Sequence, residues 1–188
     1  MVNNKKELER QELHKAIWAI ANKLRGAVDG WDFKMYVLGF IYYRFISEKF
    51  ENYVNENQKS VGIKDFKYSE DSDENALKIK NAMIKRVGYF ILPSELFSNV
   101  AKKAEKDENL NETLEKIFSN IEASAKGTKS ENLFKGTFDD VDVNNPKKLG
   151  NSVADRNKRL ADILEAIANM KLGNVNNHEI DAFGDAYE

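Results

Sequence analysis

Between Met35 and Ile46 the chain reads Met-Tyr-Val-Leu-Gly-Phe-Ile-Tyr-Tyr-Arg-Phe-Ile, a run in which Arg44 is the only charged residue. Apolar side chains stand at nearly every position rather than every third or fourth. A helix that is apolar all round has to be covered all round, so this one belongs at the hub of a helical domain. The run is well short of the roughly 20 apolar residues a bilayer span needs, and it contains an arginine. It therefore reads as core, not as a membrane segment. The aromatic density of Phe40, Tyr42, Tyr43, Phe45 and Phe50 is that of packing rather than base stacking, and the tyrosine hydroxyls then require polar partners.

The flanking pattern supplies the rest of a bundle. A first helix is expected over about 5–24, with Leu13, Ile17, Ile20 and Leu24 as one stripe and Gly26 as terminator. After a turn at Asp29-Gly30 the apolar helix runs over about 31–54, with Asp29 or Asp32 as N-cap and a polar second half that emerges into water. Residues 55–73 read as a polar loop. A third helix over 74–87, capped by Ser72 or Asp73, buries Ala76, Ile79, Met83 and Val87 and stops at Gly88. Tyr89–Leu92 reads as extended, and Pro93 suits the first turn of a fourth helix over 94–104. A fifth helix over 110–125 turns Leu114, Ile117, Phe118 and Ile121 inward. Residues 128–150 read as loop with a strand pair at most. A sixth helix over 153–172, capped by Asn151 or Ser152, carries the stripe Leu160, Ile163, Leu164 and Ile167. The expected fold is all-α: a compact bundle of about six helices around a buried central helix. The division is a helical domain over 1–173 and, over 174–188, the start of a connection to something further.

Charge narrows the function classes. Twenty-nine basic residues against 31 acidic give a net charge of −2, not the basic footprint of a dedicated nucleic-acid binder. Two stretches depart from that average. Lys78, Lys80, Lys85, Arg86, Lys102, Lys103 and Lys106 face only Glu95 and Glu105, and five basic residues between Lys147 and Arg159 face only Asp155. Such islands are usually solvated faces, but they can also meet phosphate. The phosphate-contact candidates by clustering are Lys78, Lys85, Arg86, Lys102, Lys103, Arg156 and Arg159.

Catalytic constellations do not converge. The chain has no cysteine, which excludes disulfides and thiolate metal sites and fits a reducing, cytoplasmic setting. Its two histidines, His14 and His178, are far apart, so no metal-ligand pair is expected. Carboxylate pairs such as Asp139-Asp140 read as solvated surface. No Gly-x-Gly-x-x-Gly, Walker or Gly-x-Ser-x-Gly motif occurs. Asn144-Asn145-Pro146-Lys147 lacks the second proline and the aromatic of the Asn-Pro-Pro-Phe motif that amino-group methyltransferases use, and reads as a turn.

Four segments nevertheless resemble one family when taken in order. They are Lys23-Leu-Arg-Gly26 with the apolar helix through Ile46-Ser-Glu-Lys-Phe50; Gly88-Tyr-Phe-Ile-Leu-Pro93; Leu133-Phe-Lys-Gly-Thr-Phe138 leading to Lys148-Leu-Gly150; and Arg156-Asn-Lys-Arg-Leu160, ending in Glu179-Ile-Asp-Ala-Phe-Gly-Asp-Ala-Tyr-Glu188. Together they resemble the amino-terminal helical domain of the methyltransferase (M) subunit of type I restriction–modification enzymes. The resemblance implies a parent enzyme that methylates adenine at N6, with S-adenosylmethionine bound in a separate Rossmann-like domain. It also implies partners: a specificity (S) subunit, a second M subunit, restriction (R) subunits and double-stranded DNA. On that basis the chain is expected to be an isolated domain that clamps DNA and mediates assembly, with no catalytic, cofactor or metal residues of its own. The alternative is a self-contained helical protein-interaction module with no nucleic-acid role. An independent small enzyme has no supporting constellation.

Overall fold

The computed structural model describes residues 30–170 and the isolated positions Gln11, Lys15, Trp18 and Ile20. Those four positions are helical, and Ile20 is buried in the core. The other positions of the expected first helix, both histidines and the segment 174–188 lie outside the described residues.

The apolar run forms the middle of α1, Gly30–Ser60. Tyr36, Val37, Phe40, Ile41, Tyr43 and Phe50 have no exposed surface. The helix outlasts its expected end at residue 54: in the added turns Asn57 Nδ2 donates to the Tyr53 carbonyl at 2.8 Å and the Ser60 hydroxyl to the Asn57 carbonyl at 2.7 Å, while up to Val54 one face of the polar half stays in the core. Phe50 and Val54 continue the apolar stripe from Ile46. Between them and Ile46, Ser47 is buried because its hydroxyl accepts a hydrogen bond from the Phe97 backbone N–H at 3.1 Å. The helix also begins two residues before Asp32, which is thus inside it and is not its cap. The polar stretch after Ser60 is anchored too: Tyr68 is fully buried in a 3₁₀ turn, and its N–H donates to Asn55 Oδ1 at 2.8 Å.

Helix α2, Asp73–Val87, is capped by the Ser72 hydroxyl and closed by Gly88 at φ 95, a left-handed conformation open to glycine. The expected fourth helix is broken in three: a 3₁₀ turn at Pro93–Glu95, α3 at Phe97–Lys103, and a 3₁₀ turn at Ala104–Lys106. Leu96 is extended (φ −63, ψ 138) and fully buried. Continuing the helix through Leu96 would give up that burial. Helix α4, Leu110–Ala125, and α7, Val153–Ala168, bury the stripes expected of them. Between them lie two single helical turns, α5 at Glu131–Phe134 and α6 at Pro146–Leu149, where at most a strand pair was expected. No strand occurs among the described residues.

Helix α1 packs against α3 and α7, and α7 also meets α3, α4 and α6. The core between them is aromatic. Tyr43 sets its edge against Phe97 and Phe118, both at 5.5 Å, and Phe50 lies edge-on to Tyr68 at 5.5 Å and Phe90 at 5.6 Å. Pairs of this geometry each add about 0.5–1.5 kcal/mol beyond the area they bury.

The irregular segments are held by the same tyrosines. Chain that is neither helix nor strand leaves carbonyls without backbone partners, which is costly when buried. Tyr36 donates to the Asp142 carbonyl at 2.5 Å, Tyr43 to that of Glu95 at 2.5 Å, and Tyr68 to that of Ile91 at 2.8 Å. In the opposite sense, Tyr89 donates to the Ile46 carbonyl at 2.9 Å. A second device fixes residues 133–143: Phe138 stacks on Phe118 with centroids 4.2 Å apart, and Val141 occupies the space over Gly39.

Candidate nucleic-acid interface

The sequence-derived phosphate candidates lie on three helices, α2, α3 and α7. Lys78 is exposed on α2, with its ammonium donating to Asn75 Oδ1 at 2.9 Å. Lys85 and Arg86 are exposed in the last turn of the same helix, and Lys102 and Lys103 in the last turn of α3. Arg156 and Arg159 are half-buried on α7.

Arg156 is committed to the fold. Its Nη1 donates to the carbonyls of Gly150 at 3.2 Å and Asn151 at 3.1 Å, where α6 turns into α7, and its Nε is buried without a partner. Arg159 lies near Asp155, whose carboxyl is held below the usual range first by the Ser152 hydroxyl and, more weakly, by Arg159 and Lys158. Arg156 therefore presents no free fork to solvent in the way a bidentate phosphate contact uses it.

Lys102 does approach the second island, across a groove. The groove, of about 870 Å³, runs between α3 with its following 3₁₀ turn and α7. Its lining is alanine-rich (Ala101, Ala104, Ala154, Ala161) with Val153, and its charges are Lys102 and Lys158 against Glu105, Asp107, Glu108, Asp162 and Glu165. Five carboxylates to two ammonium groups give a local field that repels phosphate. The linear count missed this because α7 contributes Asp162 and Glu165 from beyond the second island.

Below the groove, asparagines join the elements. Asn157 Oδ1 accepts from the Asn111 N–H at 2.9 Å, and Asn157 Nδ2 donates to the Glu108 carbonyl at 2.6 Å. Asn111 Nδ2 donates to Asn144 Oδ1 at 2.6 Å. Next to it, Asn145 Oδ1 accepts from the Lys147 and Lys148 N–H groups, with Pro146 as the first residue of α6. The Asn-Asn-Pro-Lys stretch is thus a cap and a turn, as its propensity predicts.

Tertiary structure assembles a different basic group. The turn after α4 is pinned to the end of α2: the Thr128 hydroxyl donates to the Gly88 carbonyl at 2.8 Å, and the Phe90 N–H donates to the Ser124 hydroxyl at 2.9 Å. The fit is close enough that a Cβ on Gly88 would sit 2.1 Å from Ser130 Oγ. Exposed Lys126 and Lys129 are thereby carried to the same end of the molecule as Lys85 and Arg86. Neither lysine belongs to a basic stretch of sequence, and it is the pairing of Thr128 with Gly88 and of Phe90 with Ser124 that reveals them.

Among the described residues no cluster of His, Asp or Glu has the make-up of a metal site, and no helix is long and apolar enough to cross a membrane.

A family model described as the HsdM N-terminal domain matches residues 13–167. The chain is 41% identical over 194 residues to the methylase subunit of the type I restriction enzyme MpnII of Mycoplasma pneumoniae, a match covering 100% of this chain and 35% of that protein. Its fold is similar to the crystal structure of the type I restriction-modification system methyltransferase subunit from Streptococcus thermophilus. The TM-score is 0.71 at 26% identity, over 95% of this chain and 37% of that one. The chain spans about a third of the length of these two relatives.

Proposed function

The chain belongs to the family of HsdM N-terminal domains, and from that premise we propose that it is the DNA-clamping and assembly domain of a type I, site-specific N6-adenine DNA methyltransferase subunit. The observation that carries this reading is the extent of the likeness: 41% identity over the whole chain to a type I methylase subunit of which it covers 35%. In this reading the domain works beside a catalytic domain, in an assembly with a specificity subunit, a second methyltransferase subunit and restriction subunits, on duplex DNA in the cytoplasm.

S-adenosylmethionine does not fit the described residues. They form no strand and so no glycine-rich strand-to-helix turn to hold it. The cofactor is assigned to the remainder of the longer subunit, and no step of methyl transfer runs through these helices. Their contribution is to hold the assembly on DNA while sequence is read elsewhere.

The test is reconstitution. The full-length subunit and one lacking residues 1–170 are each combined with the specificity subunit. Methyl transfer from labelled S-adenosylmethionine to adenine is then measured on duplex carrying the target site, together with complex formation. Loss of DNA affinity or of assembly in the shortened form is expected. Unchanged affinity, assembly and methylation would overturn the reading. Retained methylation and DNA affinity with loss of one partner alone would favour the protein-interaction module instead.

A further inference from the structure

We infer that Lys85, Arg86, Lys126 and Lys129, gathered where α2 abuts the turn after α4, form a surface that contacts the phosphate backbone of duplex DNA. The inference rests on the functional reading above and gives it a location.

The four residues come from two segments about 40 positions apart, joined by the bonds of Thr128 to Gly88 and of Phe90 to Ser124. All four are exposed, and none has a carboxylate within ion-pair distance among the described residues. Some other basic groups are engaged: Lys59 with Glu56, Lys67 with Glu70, Lys80 over the Phe90 ring, and Arg156 with backbone carbonyls.

The neighbouring acids are turned to the backbone. Glu122 stands one helical turn before Lys126, yet its carboxylate accepts from the Gly136 N–H at 3.1 Å. Glu131 accepts from the Gly127 N–H at 2.7 Å. The acidic residues of α2, Asp73 and Glu74, are in its first turn. Eleven residues separate Glu74 from Lys85, roughly 16 Å along the axis, beyond a physiological Debye length of about 8 Å.

The bland account is that cations sit well at helix C-termini, and two such ends converge at this place. Each end carries about half a negative charge, so two offset roughly one cation. Glu131 and Glu122 keep their negative charges while bonded to backbone N–H groups and offset two more. About one positive charge remains uncompensated. The groove beside α7, with its excess of carboxylates, offers phosphate no such field.

The test uses the full-length subunit assembled with its specificity subunit. Lys85→Gln, Arg86→Gln, Lys126→Gln and Lys129→Gln are combined, and duplex binding is measured over a series of potassium chloride concentrations. The slope of log K against log salt should become shallower by roughly 2–4, since each neutralised phosphate contact contributes about 0.9. Preference for the target site over unrelated duplex should stay within twofold. Lys102→Gln with Lys103→Gln should leave the slope unchanged. Circular dichroism melts establish that each variant is folded, and the Lys126→Gln, Lys129→Gln pair alone should give about half the effect. An unchanged slope in a complex that still methylates would overturn the surface alone. So would loss of a subunit on gel filtration with the slope retained, which would make the patch a protein contact. Absence of salt-dependent duplex binding by the unaltered complex would overturn the functional reading and the surface with it.

Discussion

The guanidinium of Arg44, the one charge in the apolar run, donates from Nη1 to the carbonyl of Ile167 at 2.5 Å. The same nitrogen reaches the Met170 carbonyl at 2.9 Å, while Nε pairs with Glu48 at 2.6 Å. A cation in the middle of the central helix thus ties down the carbonyl end of α7: it adds to the Met170 N–H already donating to Ile167 at 3.1 Å and supplies a partner to the Met170 carbonyl just past the helix.

Arg44→Ala should therefore destabilise the domain by about 2–3 kcal/mol, the range for hydrogen bonds to a charged group whose partners are left part-buried. Arg44→Lys should recover only part of this, because an ammonium lacks the planar fork. Urea unfolding midpoints give the size of the effect, and faster amide exchange confined to the end of α7 gives its location. An unchanged midpoint for the alanine variant would show that the cap is not needed.

Gly39 is fixed by a neighbour rather than by its own backbone conformation. A Cβ at this position would lie 2.2 Å from Val141 Cγ2. Gly39→Ala should cost about 1–3 kcal/mol through overpacking, despite alanine's better helix propensity. Combining it with Val141→Ala should cost less than the two single changes added together, with a coupling of about 0.5–3 kcal/mol. Strict additivity in a thermal denaturation cycle would mean that the two residues do not meet.

Alkaline pH should unfold the domain by a specific route. Burial first, and nearby acidic groups second, push the phenols of Tyr43 and Tyr68 well above their ordinary value; burial and then Tyr42 do the same for Tyr89. A raised folded pKa adds stability that is complete below the unfolded value of about 10 and is lost as pH rises beyond it. Melts should be level from neutrality to about pH 9 on this account and fall above about pH 10, with phenolate absorbance appearing together with unfolding. Tyr43→Phe should lessen the alkaline fall, yet cost about 1–3 kcal/mol at neutral pH by stranding the Glu95 carbonyl. Phenolate signal from these three residues in a still-folded protein would contradict the burial described.

The start of α7 gives a test at low pH. Ser152 Oγ accepts from the Asp155 N–H at 3.0 Å and donates to the Asp155 carboxylate at 2.6 Å. Ser152→Ala should let the Asp155 pKa rise toward its ordinary value, read by NMR titration. Loss of the cap should lower Tm by about 2–4 °C. A depressed carboxyl pKa supports the fold above the unfolded value and ceases to do so as pH falls through the folded one. The difference in Tm between the two proteins should therefore narrow in acid.

What was legible in the sequence followed periodicity. The central helix, the limits of α4 and the inward stripes of α4 and α7 could be read because each is set by apolar spacing within one segment. The break at Leu96 could not, because it depends on contacts that local propensity does not contain. Nor could the reach of α1 to Ser60, since residues 55–60 carry no apolar stripe and Asn55 gains its partner only when Tyr68 is placed beside it. Charge clustering brings Lys85 and Arg86 into view but not Lys126 and Lys129, for a related reason. It measures neighbourhood along the chain, whereas the groove sets Lys102 among carboxylates of α7 and the Thr128–Gly88 bond sets Lys126 and Lys129 beside Lys85. The resemblance to the methyltransferase subunits, by contrast, rested on the order of short segments and needed no folding to be recognised.

Helix α1 has 31 residues, which makes it a strut about 46 Å long. Helices α3 and α7 pack on it, and Tyr36 and Tyr43 tie two irregular segments to its flank. A strut braced at so many points along its length tilts more readily than it bends. A 5° rotation about one tip would sweep the other through roughly 4 Å. Motion passed to this domain from an attached body should then reappear at its far end as lever travel, with its interior unaltered.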